Sequence, residues 1–206
     1  MADETDVLND ALGMAGGCPR ITSIDDGTES ANHCKIFYPN LRDAILRMHF
    51  WNFAVQWVEL AQDATIPAIG FNFSYTLPPD WLRTKDYAGN NPTSVSGFPT
   101  FIDPTTMRNV VNYKIEGRTV RSNDGQAFLQ YIRRVENPGE WDALFAQVVG
   151  LWLASKLALA IRKDVKMSTG LLEQVNKIML PLALAVDGQE GSVSPYISDD
   201  LLWGRR

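Results

Sequence analysis

Apolar residues recur with two different periods along the chain, and the change of period divides it into three parts. Val7, Leu8, Ala11 and Leu12 share one side of a short helix predicted from Asp3 to Met14, which Gly16, Gly17 and Pro19 end. A long helix follows, with Asp26 as its expected N-cap and Glu29 completing a capping-box pattern. Its buried face is read from Ala31, Cys34, Tyr38, Leu41, Ile45 and Met48, spaced alternately by three and four. Pro39 lies inside it and is expected to kink it, since proline lacks an N–H and crowds the preceding turn. Phe53, Trp57 and Leu60 then suggest a second helix from Trp51 to Ala61.

The period next drops to two. Phe71, Phe73, Tyr75 and Leu77 alternate with Asn72, Ser74 and Thr76, as in a half-buried strand stopped by Pro78-Pro79-Asp80. From Asp86 to Asn109 no period is sustained, and a loop of that length is usually functional or mobile rather than a mere connection. Alternation returns at Val111, Tyr113 and Ile115, turns at Glu116-Gly117 into Arg118–Arg121, and turns again at Asn123-Asp124-Gly125 into a strand from Ala127 to Val135. After Asn137-Pro138-Gly139 the helical period resumes. The helix Trp141–Ile161 is apolar on more than half its circumference and so requires two partners. Ser168 or Thr169 is expected to cap a last helix bearing Leu172, Val175, Met179, Leu182 and Val186, broken near Pro181. The expected class is therefore α+β. Residues 1–63 and 138–187 would form a helical bundle, with an antiparallel β subdomain inserted over 64–137 (its long loop at 86–109) and an extended C-terminal tail over 188–206.

Composition narrows the function classes more than it selects one. The chain has 206 residues, 45% hydrophobic and 21% charged, which suits a folded protein with a substantial core. No uninterrupted apolar run reaches the ~20 residues of a membrane-spanning helix, so no membrane anchor is expected. Asp3, Glu4, Asp6 and Asp10 stand where a secretory signal would carry positive charge. Two cysteines and two histidines do not furnish a disulfide framework or a histidine-rich metal centre, and no metal or cofactor is expected. The net charge of −5 is uneven: −6 over residues 1–30, −2 over 187–206, and +3 between. A weakly basic body with acidic ends does not read as a protein that grips nucleic acid by its phosphates.

The residue types that could carry catalysis fall in patterns with ordinary structural roles. Gly13-Met-Ala-Gly-Gly17 lacks the lysine of a phosphate loop and reads as a helix end. His33 and Cys34 are neighbours on a helix and so point about 100° apart, with Cys34 inside the apolar stripe. Asp25-Asp26 and Asp199-Asp200 read as helix cap and solvated tail, and Arg133-Arg134 as a solvated strand edge. No catalytic residue is assigned. Six tryptophans, Trp51, Trp57, Trp81, Trp141, Trp152 and Trp203, point instead to a packed core and to protein interfaces. Trp203, in Leu201-Leu202-Trp203, has no evident core to join.

One string is distinctive: Ile21-Thr-Ser-Ile-Asp-Asp26, Ala31, Cys34, Tyr38, Arg42-Asp43, Leu46-Arg47, His49 and Trp51-Asn52-Phe53-Ala54. It continues in Leu77-Pro78, Asp80, Leu82-Arg83, Tyr113, Glu116-Gly117-Arg118 and Tyr131-Ile132-Arg133-Arg134-Val135. It ends in Trp141-Asp142, Phe145, Leu153-Ala154 and Leu157-Ala158. This ordered set, spanning most of residues 21–160, resembles the tail tubular protein A family, the head-to-tail adaptors of short-tailed bacteriophages. Phe50 departs from it where the family commonly has proline, and Trp81 where a smaller residue is usual.

The resemblance implies a structural protein of the virion tail, assembled in the host cytoplasm. It implies a dodecameric ring of this chain beneath the portal protein that extends the DNA channel, without sequence-specific DNA binding, and carries the tail nozzle and fibres. The apolar surplus on the Trp141–Ile161 helix fits side-to-side contacts, for which the candidate residues are Trp152 and Lys156 with Arg42 and Arg47 on the polar side of the long N-terminal helix. Leu201, Leu202 and Trp203 are the candidates for docking the tail on a neighbour. A tail-associated glycan hydrolase is the alternative, and would need paired carboxylates across a cleft that no acidic pair here supplies by spacing. A host-encoded helical interaction domain is a third reading.

Overall fold

A computed structural model describes residues 3–64, 67, 69–90, 101–102, 109–110 and 113–191. The fold is α+β. Its helical part comprises α1 (Glu4–Met14), α2 (Glu29–Met48), α3 (Ala143–Ala160), α4 (Val165–Gln174) and α5 (Leu180–Glu190). The strands are β1 (Val55–Glu59), β2 (Phe73–Thr76), β3 (Trp81–Ala88), β4 (Phe101–Ile102), β5 (Asn109–Val110), β6 (Tyr113–Glu116), β7 (Thr119–Ser122) and β8 (Phe128–Arg133). They form antiparallel sheets in the orders β1-β8-β3 and β2-β7-β6, with a separate pair β4-β5.

α3 is the hub. Among 18 residues it carries one charge, Lys156, and it is the described helix long and apolar enough to span a membrane by length and composition. Here its flanks are spent on α1, α2, α4 and α5, with Phe145, Val148, Val149, Leu153, Ala154, Leu157 and Ala158 fully buried. The apolar surplus expected to seek a neighbouring subunit is thus largely consumed within the chain. Val7, Leu8, Ala11 and Leu12 of α1 pack here as their spacing foretells. So do Trp51, Phe53, Trp141 and Phe145, whose rings meet mostly edge to face at about 5 Å. The two indole N–H groups are satisfied locally, Trp51 donating to the Ile45 carbonyl (3.1 Å) and Trp141 to that of Val135 (3.0 Å).

β8 joins this helical core to a second, smaller one. Its side chains alternate, so Ile132 faces the helices with Leu82 and Val135, while Leu129 and Tyr131 face Leu60, Tyr75, Leu77, Val120 and Ala127 between the two main sheets.

Several boundaries differ from expectation. The cap of α2 is Thr28, which accepts from the Ala31 N–H (3.2 Å). Asp26 sits behind it and accepts from the Thr28 N–H and hydroxyl (3.0 and 2.7 Å). The turn at Gly27, with φ +75°, delays the helix by two residues. α2 continues through Pro39. Residues 51–61 are not a helix: a short 3-10 turn over Asn52–Ala54 leads into β1, which pairs with β8 in the register Val55↔Ile132 to Glu59↔Phe128. Phe53, Trp57 and Leu60 supplied too few points to separate the two periods, and the distant partner strand decided. The first strand therefore begins before residue 64. β3 also enters the expected loop 86–109; its two irregularities, between Trp81 and Arg83 and between Thr84 and Asp86, erase the simple alternation. The rest of that loop (91–100, 103–108) and the tail from 192 lie outside the described residues. Asp164, not Ser168 or Thr169, caps the last helical stretch by accepting from the Met167 N–H (2.9 Å). The break expected near Pro181 takes the form of a π-helical turn over Val175–Met179, immediately before α5.

Candidate functional site

The residues singled out for assembly separate into three environments. Arg42 does not lie on an open polar face. It is buried, its Nε–H donates to Asp43 Oδ1 (3.0 Å), its Nη2 lies 2.9 Å from the same carboxylate and 3.7 Å from Glu136, and its guanidinium approaches the Tyr38 ring. Arg134 reaches the other Asp43 oxygen (2.8 Å). This network ties α2 to the strand exit after β8, so Arg42 is committed within the subunit. The sequence put it on the polar side of α2, but a long side chain can turn inward when a carboxylate receives it.

Arg47 is exposed at the end of α2. Its carbonyl, and that of Met48, accept from Arg83 Nη1 (3.0 and 3.4 Å), so a cation from β3 closes the carbonyl end of the helix, where the helix dipole favours it. Arg83 also lies over the Phe50 ring, 4.3 Å from its centroid, with Lys85 at 5.9 Å. The sequence offered no signal for this cluster, because the irregular stretch of β3 hides which residues share a face.

Trp152 and Lys156 stand one turn apart on the same flank of α3. Trp152 is half-buried against the helical core, and Lys156 is exposed. Lys156 lines a groove of ≈ 370 Å³ between α3 and α2, together with Ile36, Phe37, Asn40, Leu41 and Ala44. Ile36 is 60% exposed there. Arg47 and Arg42 do not line this groove. Leu201, Leu202 and Trp203 lie outside the described residues.

Other side chains considered for chemistry have local partners. Asp25 pairs with Lys35 at 2.6 Å, and hydrogen bonds from Thr28 hold the Asp26 carboxyl below its ordinary range. Cys34 is fully buried and burial pushes its thiol up to about 11, the behaviour of an inert core thiol. Burial also raises Glu4 and Tyr38. Among the described residues no group of three or more His, Cys, Asp or Glu is placed to hold a metal.

Two clusters went unforeseen because their members are distant in sequence. Asp187, buried on α5, accepts from the Asn52 N–H (2.9 Å) and lies 2.9 Å from His49 Nε2, while Asn52 Nδ2 donates to the Asp187 carbonyl (2.6 Å). This fastens the end of α5 to the corner after α2. In the sheets, Asp124 receives the Tyr87 hydroxyl on its carboxylate (3.1 Å) and the Tyr75 hydroxyl on its carbonyl (2.5 Å). Its carboxylate fills the space a side chain at Gly89 would need.

Compared with models of known protein families and with curated proteins, the sequence matches none.

Proposed function

We propose that this chain is a structural virion protein, the subunit of a head-to-tail adaptor ring that joins the portal to the tail and extends the DNA channel. The observation that carries the reading is the ordered series of sequence blocks from Ile21 to Ala158 that resembles tail tubular protein A. Those blocks include residues of one continuous core: Trp51 and Ala54 after α2, Ile132 and Val135 at the end of β8, and Trp141, Phe145, Leu153 and Leu157 of the α3 region are buried together. They sit where packing, rather than surface chance, restricts residue type.

The reading assigns the chain no catalytic step. Its role would be geometric: identical subunits meeting through unlike faces close into a ring, and a net charge of −5 limits adhesion to DNA that must slide through. The partners are other copies of the chain, twelve in the ring, the portal protein above, and the nozzle and fibre proteins below.

Light scattering and electron microscopy of the purified full chain, alone and mixed with the portal protein, test this. A ring is expected at least in the presence of the portal. A chain that stays monomeric with the portal present overturns the reading.

A further inference from the structure

The α2–α3 groove combines three properties. Its lining is mostly apolar, from Phe37, Leu41 and Ala44 beside Asn40; Ile36 is largely exposed there; and Lys156 supplies a cation. No ion pair among the described residues uses Lys156, whereas Arg42, Arg133 and Arg134 each have a carboxylate. The groove is an open one of ≈ 370 Å³. What fits it is a short segment with adjacent apolar side chains and a neighbouring acid.

The chain contains such a segment. Asp199-Asp200-Leu201-Leu202-Trp203 places two carboxylates directly before two leucines and a tryptophan. These are its most apolar neighbours beyond α5, and Pro195 and the glycine and serine residues before them disfavour a continuing helix. The departure point is also defined. Gly191 lies against Asn52, so the chain leaves α5 at the corner following α2. Seven residues, 192–198, precede Asp199 and can extend about 25 Å. That length carries the segment clear of the corner it starts from.

We propose that the groove lined by Ile36, Phe37, Leu41, Ala44 and Lys156 receives the Asp199–Trp203 segment of a neighbouring copy of this chain. Leu202 and Trp203 meet the apolar lining and the Asp199-Asp200 carboxylates meet Lys156. The contact is heterologous, a tail on one subunit meeting a groove on the next, and so propagates in one direction around a closed assembly. The inference rests on the adaptor-ring reading for the presence of a neighbour.

Full-length variants test it by sedimentation and light scattering. Ile36→Asp spoils the groove and Trp203→Ser spoils the segment. Each is expected to weaken self-association at least tenfold while leaving the circular dichroism spectrum and thermal midpoint unchanged, and Lys156→Glu serves if Ile36→Asp perturbs folding. Mixing the two defective chains restores one contact in two, the sound groove of one meeting the sound segment of the other, and so yields unlike pairs but no larger assembly. Joining Lys156→Asp with Asp199→Lys and Asp200→Lys recovers association that Lys156→Asp alone has lost. Wild-type assembly that survives both Ile36→Asp and Trp203→Ser overturns the groove contact and leaves the ring reading standing. Failure of mixing to yield those pairs, with Trp203→Ser lowering the thermal midpoint, shows the segment folding back on its own subunit and overturns the exchange between copies. A wild-type chain that never self-associates, with or without the portal, removes the ring reading and this inference together.

Discussion

The helical core and the sheet core treat buried tyrosine differently. Between the sheets the buried tyrosines among the described residues find partners: Tyr75 donates to the Asp124 carbonyl at 2.5 Å and Tyr131 to Asp80 at 3.1 Å. In the helical core Tyr38, 0% exposed, is packed against Trp141, and its hydroxyl finds no hydrogen-bond partner among the described residues. Helices consume their own backbone donors and acceptors, so a polar atom carried into a helix–helix seam meets mostly hydrocarbon. Strand ends and tight turns leave carbonyls and carboxylates free, and tyrosine can use them. The helical region is held by aromatic volume, the sheet region by a smaller apolar cluster laced with hydrogen bonds.

The largest effect expected from that contrast comes from removing volume. Phe145 is fully buried and its ring meets Trp51, Phe53 and Trp141, so Phe145→Ala should cost about 3–5 kcal/mol by denaturant unfolding. A loss near 1 kcal/mol would mean the aromatic cluster can collapse around the gap and is not the keystone of the helices.

Paired deletions of single hydroxyls sharpen the comparison. Tyr75→Phe strips a partner from the Asp124 carbonyl and is expected to cost about 1–2 kcal/mol. Tyr38→Phe removes a hydroxyl that is buried without a partner and should be neutral or slightly stabilising, within about 0.5 kcal/mol. Equal losses at the two sites would show that Tyr38 has a partner after all and would erase the distinction.

A further effect is expected only at alkaline pH. Burial raises the Cys34 thiol to about 11 from an ordinary 9.0, and burial raises Tyr38 too. The folded chain thus retains protons that the unfolded chain gives up, so stability is full below about pH 9 and falls as pH rises toward 11. Cys34→Ala should flatten that slope in thermal melts at pH 8 to 11; an unchanged slope assigns it to other groups.

The elements that can be read from the chain are those whose own residues repeat. α1 displays its buried side in four residues, α3 in an almost unbroken apolar stretch, and β2 and β6 in plain alternation. Of the candidate interface, Trp152 and Lys156 could be placed on one flank by helical spacing alone, and Trp203 marked as out of place. Arg42, expected on the polar side of α2, is instead buried, because Asp43 and Arg134 meet there in space and draw it inside.

The helix and strand periods, the α+β class and the residues apolar enough to need burial are all legible along the chain. That residues 55–59 are a strand, that Arg83 closes the end of α2, that His49 and Asn52 gather on Asp187, and that Lys156 borders a groove against α2 follow from packing alone. The reason is the range of the interactions. Periodicity and capping act within a few residues and are written locally. A strand's partner or a carboxylate's donor, 138 residues away for His49 and Asp187, is selected by which surfaces the packed core brings into contact.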